Sequence, residues 1–331
     1  MSEFDEKPLS AIDSGEETNV KPAKEQDEIE CNQTQELLCE AVFESNDDAP
    51  PKKPRIWTLF AAAFAYVFFM GVSIAVLFIG FFIARPDVLE GDEAQIAQGV
   101  QSALTEPNVF ALVVFLTALS GILPALLVGA FSPKKWTQRL KLDKSTSTSP
   151  TWAWLGVTLL VGTCSEQIIR RICPPWMGPS ETLGNIGKSI EAAPPSSLFL
   201  LVLGIGVAAP IGEELFFRGV LQPRLVARWG PMVGILITSV LFAVIHMDIQ
   251  HSLMVFPTGL CLGWMSYRTG SIRAAIAVHM GNNVFATVFE RALPSLPSWA
   301  NGAAIAVIVV FGLLCLALLY RKNALPGQWL S

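Results

Sequence analysis

The sequence predicts an all-α protein: a polytopic bundle of about eight transmembrane helices behind a disordered acidic N-terminal tail. Three observations carry that prediction. The chain is 52% hydrophobic and 15% charged, where soluble domains are about 25% charged. Its apolar residues cluster, so that Leu59–Ala84, Phe110–Phe131 and Ala303–Tyr320 run without a formal charge. Each is close to the roughly 20 residues that a helix needs to cross about 30 Å of hydrocarbon. Finally, the charge is divided. Residues 1–50 carry 15 Asp/Glu against Lys7, Lys21 and Lys24, whereas the other 281 residues carry 20 Lys/Arg against 13 Asp/Glu.

The tail, residues 1–55, is rich in Glu, Gln, Asn and Ser and ends in the basic Lys52, Lys53 and Arg55. It lacks hydrophobic periodicity and reads as a solvated, disordered segment; a docking segment for an unidentified partner is the second reading. No cleavable signal peptide is expected, because the first apolar stretch begins only near Trp57 and is itself a span.

The core, residues 56–325, divides into spans at roughly 57–84, 109–131, 152–172, 197–217, 231–247, 252–267, 274–291 and 300–320. The fifth and sixth are short and separated by little more than Met247–His251. Lys144–Pro150 reads as a loop, as does Pro174–Ser197, within which Thr182–Ala192 is a candidate helix on the outer surface. Trp57, Trp136, Trp152, Trp154, Trp229, Trp264 and Trp299 fall near span ends, where indole rings sit at headgroup level. The six cysteines show no CxxC pairing, which argues against a disulfide framework or zinc knuckle. No internal repeat is evident, which weighs against an inverted-repeat transporter.

Orientation follows from the flanking basic residues. With the tail in the cytoplasm, fifteen Lys/Arg flank the inner side and five the outer: Arg85, Arg170, Arg171, Lys188 and Arg291. Both termini and Lys134–Lys144 are therefore expected to face the cytoplasm, with Asp87–Glu106 and Pro174–Ser196 outside.

Ionisable residues inside spans are costly, about 2.5–3.5 kcal/mol each on insertion scales, and mark candidate sites. The fourth span ends Glu213-Glu214-Leu215-Phe216-Phe217-Arg218. The fifth holds Phe242 and His246, and the seventh holds His279 and Asn283. Glu214 and Arg218 are four apart with the acid N-terminal, the favourable order for a pair, and read as a structural ion pair near the cytoplasmic face. Glu213 lies about 100° round the helix and is the freer carboxylate, the better candidate base. His279 and Asn283 share a helix face, as do Phe242 and His246, so the Phe242 ring can orient the imidazole. Taken singly, His246 reads as a helix-contact residue and Asn283 as an interhelical hydrogen-bond donor. Glu166 can pair with Arg170, and His251 falls in a loop.

These residues resemble the three signature motifs of the CPBP family of intramembrane proteases, which includes CAAX prenyl endopeptidases and bacteriocin-processing or immunity proteins. EExxxR is matched by Glu213, Glu214 and Arg218, FxxxH by Phe242 and His246, and HxxxN by His279 and Asn283. The ordered triple is specific, and it covers residues 197–291. HExxH, GxGD and a rhomboid-like GxSG are absent. The resemblance implies an endopeptidase acting on a membrane-tethered protein or peptide, prenylated and CaaX-like in the best-known members, in a bacterial cytoplasmic membrane. It implies that Glu213 and His246 activate water and that His279 and Asn283 form the oxyanion site, with Glu214, Arg218 and Phe242 in support. A divalent metal such as zinc, held by Glu213, His246 and His279, is left open. So is a non-catalytic role in binding, bacteriocin immunity or ion-coupled transport. The partners expected are lipid and a membrane-tethered substrate, with no nucleic acid.

Depth sets one condition. At 1.5 Å per residue, His279 lies roughly 10 Å and His246 roughly 20 Å from the cytoplasmic face. They meet only if the fifth span tilts or begins below the membrane surface.

Overall fold

The computed structural model describes residues 56–131, 135–143, 149–174, 178–292 and 295–321, and all regular structure within them is helical. The acidic tail, with Lys52, Lys53 and Arg55, lies outside the described residues, as do Lys134, Lys144 and Lys322.

α1 (Ile56–Ala84) is an uninterrupted apolar helix. α2 (Glu93–Thr105) occupies a stretch with no predicted element. Its signal was present: the Asp92 side chain accepts the Gln95 N–H while the Gln95 side chain accepts the Asp92 N–H, both at 2.9 Å, a capping box. The expected second span is two helices, α3 (Pro107–Ser120) and α4 (Ile122–Ala130). Pro124 cannot donate to the Ser120 carbonyl, so the ladder breaks at Gly121. A short α5 (Trp136–Arg139) precedes α6 (Thr151–Ile172). The candidate outer helix is α7 (Glu181–Ala192), where the Ser180 hydroxyl accepts the Leu183 N–H.

The fourth span departs most from expectation. Instead of ending near Phe217, it continues as α8 through residues 195–229. Two π-helical stretches, Val202–Ala208 and Leu215–Leu221, flank the two glutamates. Pro210 lies between them, and a widened turn relieves the clash of its ring with the preceding turn. The chain then breaks at Gly230, whose φ of 82° suits glycine, and returns as α9 (231–244). A Cβ added at Gly234 would lie 2.5 Å from the Val226 nitrogen. In a straight helix these residues sit about 12 Å apart, so the chain folds back sharply.

α10 (Ile249–Thr269) is capped by Asp248 and closed by Gly270 in the left-handed conformation. α11 (Arg273–Ala292) and α12 (Ser298–Arg321) complete the bundle. Four stretches, Ala63–Ala84, Pro107–Ala130, Pro195–Val244 and Trp299–Arg321, are long and apolar enough to cross a membrane. α6 and α11 carry charges near their ends, among them Glu166, Arg170, Glu290 and Arg291. Large apolar side chains such as Phe64, Ile83, Val307 and Leu314 point outward, as lipid-facing helices require. The protein is an integral membrane protein.

α12 docks on α6 through glycines: a Cβ at Gly156 would collide with Cys315, and one at Gly312 with Leu160. Small residues of this kind let helix backbones approach. Trp154, read as an interfacial ring, is instead buried in this contact beside Cys315 and Leu319. At one end of the bundle, Leu140 is fully buried against Gly129 and Gly219. There the Ile272 N–H donates to the Lys141 carbonyl at 2.9 Å.

Candidate active site

α8 and α11 run side by side and place the two motif pairs face to face. Glu214 is fully buried, and its Oε1 accepts two hydrogen bonds at 2.9 Å, from Arg218 Nη1 and from His279 Nδ1. A carboxylate only accepts, so Nδ1 is the protonated nitrogen and Nε2 is turned the other way. That Nε2 stands 3.7 Å from Glu213 Oε2. Glu213 keeps 17% side-chain exposure while Glu214 and Arg218 keep none. The adjacent glutamates thus have different surroundings, as their helical angles predict.

Arg218 is shielded from solvent. It lies inside the bundle at 1% exposure, with Nη2 donating to the Gly259 carbonyl at 3.1 Å and its guanidinium 4.4 Å over the Phe242 ring. α8 continues for eleven residues beyond it.

Asn283, one turn beyond His279, donates from Nδ2 to the Ile205 carbonyl at 3.0 Å. The local backbone explains this bond. The Ala209 N–H reaches back to Gly204 in the π stretch, and Pro210 has no N–H to give. The Ile205 carbonyl is left to Asn283, whose amide retains a second N–H.

Phe242 is the hinge of the cluster. Its ring is edge-on to His246 at 5.4 Å and to His279 at 5.8 Å. His246 donates from Nδ1 to the Phe242 carbonyl at 3.0 Å, which leaves Nε2 as its free acceptor. The two imidazoles are linked through this ring. Among the described contacts, none joins His246 directly to Glu213 or His279.

His251, expected in a loop, instead lies in the first turn of α10, where Asp248 accepts its N–H at 2.8 Å. Its ring is 4.4 Å from that of His246. Glu166 and Arg170 do pair, at 3.0 Å on an exposed face. Tyr66 of α1 was not singled out by sequence. It is 4% exposed, stacked on Phe216 and within electrostatic reach of Glu213. Its signal is a lone phenol in an otherwise apolar span.

Among the described residues, no three His, Cys, Asp or Glu side chains are grouped to hold a metal ion. Phe242 stands between His279 and His246, so Glu213, His246 and His279 are not grouped as a ligand set in this arrangement.

The fold and site define a helical membrane protein with a buried glutamate–arginine–histidine cluster. Residues 195–285 match the family described as type II CAAX prenyl endopeptidase Rce1-like, an interval that contains all seven motif residues. A Bacillus subtilis (strain 168) protein named "Putative membrane peptidase YdiL" is 28% identical over 111 residues, 34% of this chain and 43% of that protein. An Escherichia coli protein named "Uncharacterized 24.3 kDa protein" is 31% identical over 97 residues, 28% of this chain and 45% of that protein. The chain spans under half the length of these curated relatives. No solved structure matches.

Proposed function

We propose that this protein is an intramembrane endopeptidase that hydrolyses a peptide bond of a membrane-tethered, CaaX-like substrate. The observation that carries the reading is the Glu214–His279 bond beside Glu213. A buried, doubly bonded carboxylate holds an imidazole so that its outer nitrogen meets a second, freer carboxylate. That is the base-and-orienter relationship expected of an acid–base site.

In this reading Glu213 takes a proton from water as the oxygen attacks the scissile carbonyl carbon. Charge that develops on the carbonyl oxygen is met by the second amide N–H of Asn283 and by the Nε2–H of His279, which in this reading enters the step carrying both ring protons and keeps them. The C–N bond then breaks, and the proton held by Glu213 passes to the leaving amine, giving a free amine and a carboxylic acid whose proton Glu213 can take in turn. His246, with Nε2 free, lies on the far side of Phe242 and assists proton transfer there. No step is routed through a metal. Eight spans, with both termini and α5 in the cytoplasm of a bacterial cell, complete the proposal.

The test is cleavage of a membrane-tethered peptide library by the purified protein, prenylated and unprenylated, with and without chelator. Sequence-selective cleavage that Glu213→Gln abolishes supports the reading. An inert wild-type protein in reconstituted bilayers refutes it.

A further inference from the structure

We infer that Tyr66 is a positioning residue that holds the reacting water at Glu213, a role that rests on the peptidase reading above. Glu213 needs such a partner. A carboxylate can take one proton from water, but attack also requires the oxygen lone pair to point at the substrate. A second group that holds the other O–H fixes that direction.

Tyr66 is the group the fold supplies. In α1 the Ser73 hydroxyl is spent on the Phe69 carbonyl at 2.8 Å, whereas the Tyr66 phenol is carried to the α8 surface and buried. Its ring stacks on Phe216 at 4.2 Å and meets Phe217 edge-on at 5.9 Å. These lie three and four residues beyond Glu213, so they mark the face of α8 that Glu213 presents. The hydroxyl points onward, lying 3.4 Å from the position a Cβ would take on Gly121. The Gly121 backbone in turn lies 3.0 Å from the Cβ position of Gly212, next to Glu213. The ring therefore sits level with Phe216 and Phe217, and the oxygen reaches the level of Gly212.

Gly212 is needed for that approach. A side chain there would lie 3.0 Å from the Gly121 carbonyl carbon and push α4 away from α8. No direct hydrogen bond joins Tyr66 to Glu213 among the described contacts, so the inferred link is a bridging water. With one hydrogen directed to Glu213 and the other to the phenol oxygen, the water's lone pair is free for the carbonyl.

The experiment compares wild type, Tyr66→Phe, Tyr66→Leu and Glu213→Gln as purified full-length protein on the membrane-tethered peptide. Tyr66→Phe keeps the ring stack, so Tm and KM should match wild type while kcat falls about tenfold or more, the effect of one hydrogen bond in the transition state. Tyr66→Leu should lower Tm as well, which separates packing from chemistry. If Tyr66→Phe keeps kcat within about twofold of wild type, or loses only KM, the role is overturned while the peptidase reading stands. A wild type as inert as Glu213→Gln removes the peptidase reading and this role with it.

Discussion

His279 Nδ1 and Glu214 Oε1 lie 2.9 Å apart, a bond between residues 65 positions apart in sequence. It makes Glu214 the shared acceptor of two N–H donors, Arg218 and His279, and leaves Glu213 as the partly exposed carboxylate. The first prediction follows from that division.

Glu213→Gln keeps volume and hydrogen bonding but cannot accept the water proton, so protein should accumulate normally while cleavage falls at least about 10²-fold. Glu214→Gln leaves Arg218 uncompensated at a fully buried position, a change that costs about 3–5 kcal/mol. Arg218 is 1% exposed, so solvent does little to soften that penalty. Glu214→Gln with Arg218→Gln should recover part of the lost Tm. A stable but inert Glu214→Gln, beside an active Glu213→Gln, would reverse the two assignments.

Asn283 has a backbone duty that can be separated from any role in chemistry. Asn283→Ala leaves the Ile205 carbonyl without its partner and should cost about 1–3 kcal/mol. Pro210→Ala restores an N–H near that carbonyl, so the double variant should melt above Asn283→Ala alone. Cleavage should stay low in both, because the second amide N–H is gone. A double variant no more stable than the single one would show that Pro210 does not create the need for Asn283.

Close packing behind Glu213 can be tested by a methyl group. A Cβ at Gly212 would sit 3.0 Å from the Gly121 carbonyl carbon and 3.1 Å from the Ile122 nitrogen. Backbone cannot yield as a side chain does, so Gly212→Ala should cost about 1–3 kcal/mol. Gly80→Ala has nothing within 4 Å and should be neutral or gain up to about 1 kcal/mol from helix propensity. Equal melting temperatures for the two would contradict the described contact of α4 with α8.

Orientation calls for labelling at exposed positions on a cysteine-free background. Leu140 is a poor site because it is fully buried, whereas Gln138 in α5 and Glu93 in α2 are exposed. A cysteine at 138 should react with an impermeant reagent only after cells are opened, and one at 93 in intact cells. The opposite pattern inverts the topology.

All-helical architecture was legible in the sequence because it depends on local physics. A backbone in lipid must satisfy its own hydrogen bonds, so a long apolar run such as Leu59–Ala84 has no other option than helix. The glutamate assignment was legible too, since Glu214 and Arg218 are four residues apart and Glu213 is not in register with the arginine. What tertiary structure decided was burial and company. Sequence read Glu214 and Arg218 as an ion pair near the cytoplasmic face. The fold removes that pair from solvent, because Phe242 lies under the guanidinium and Gly259 of α10 supplies a carbonyl acceptor from 41 residues away. Likewise, no spacing rule connects Tyr66 to Phe216 or Asn283 to Ile205. Those partnerships arise where glycines let helices touch and where a proline withholds an N–H, and both conditions become visible only once the helices are packed.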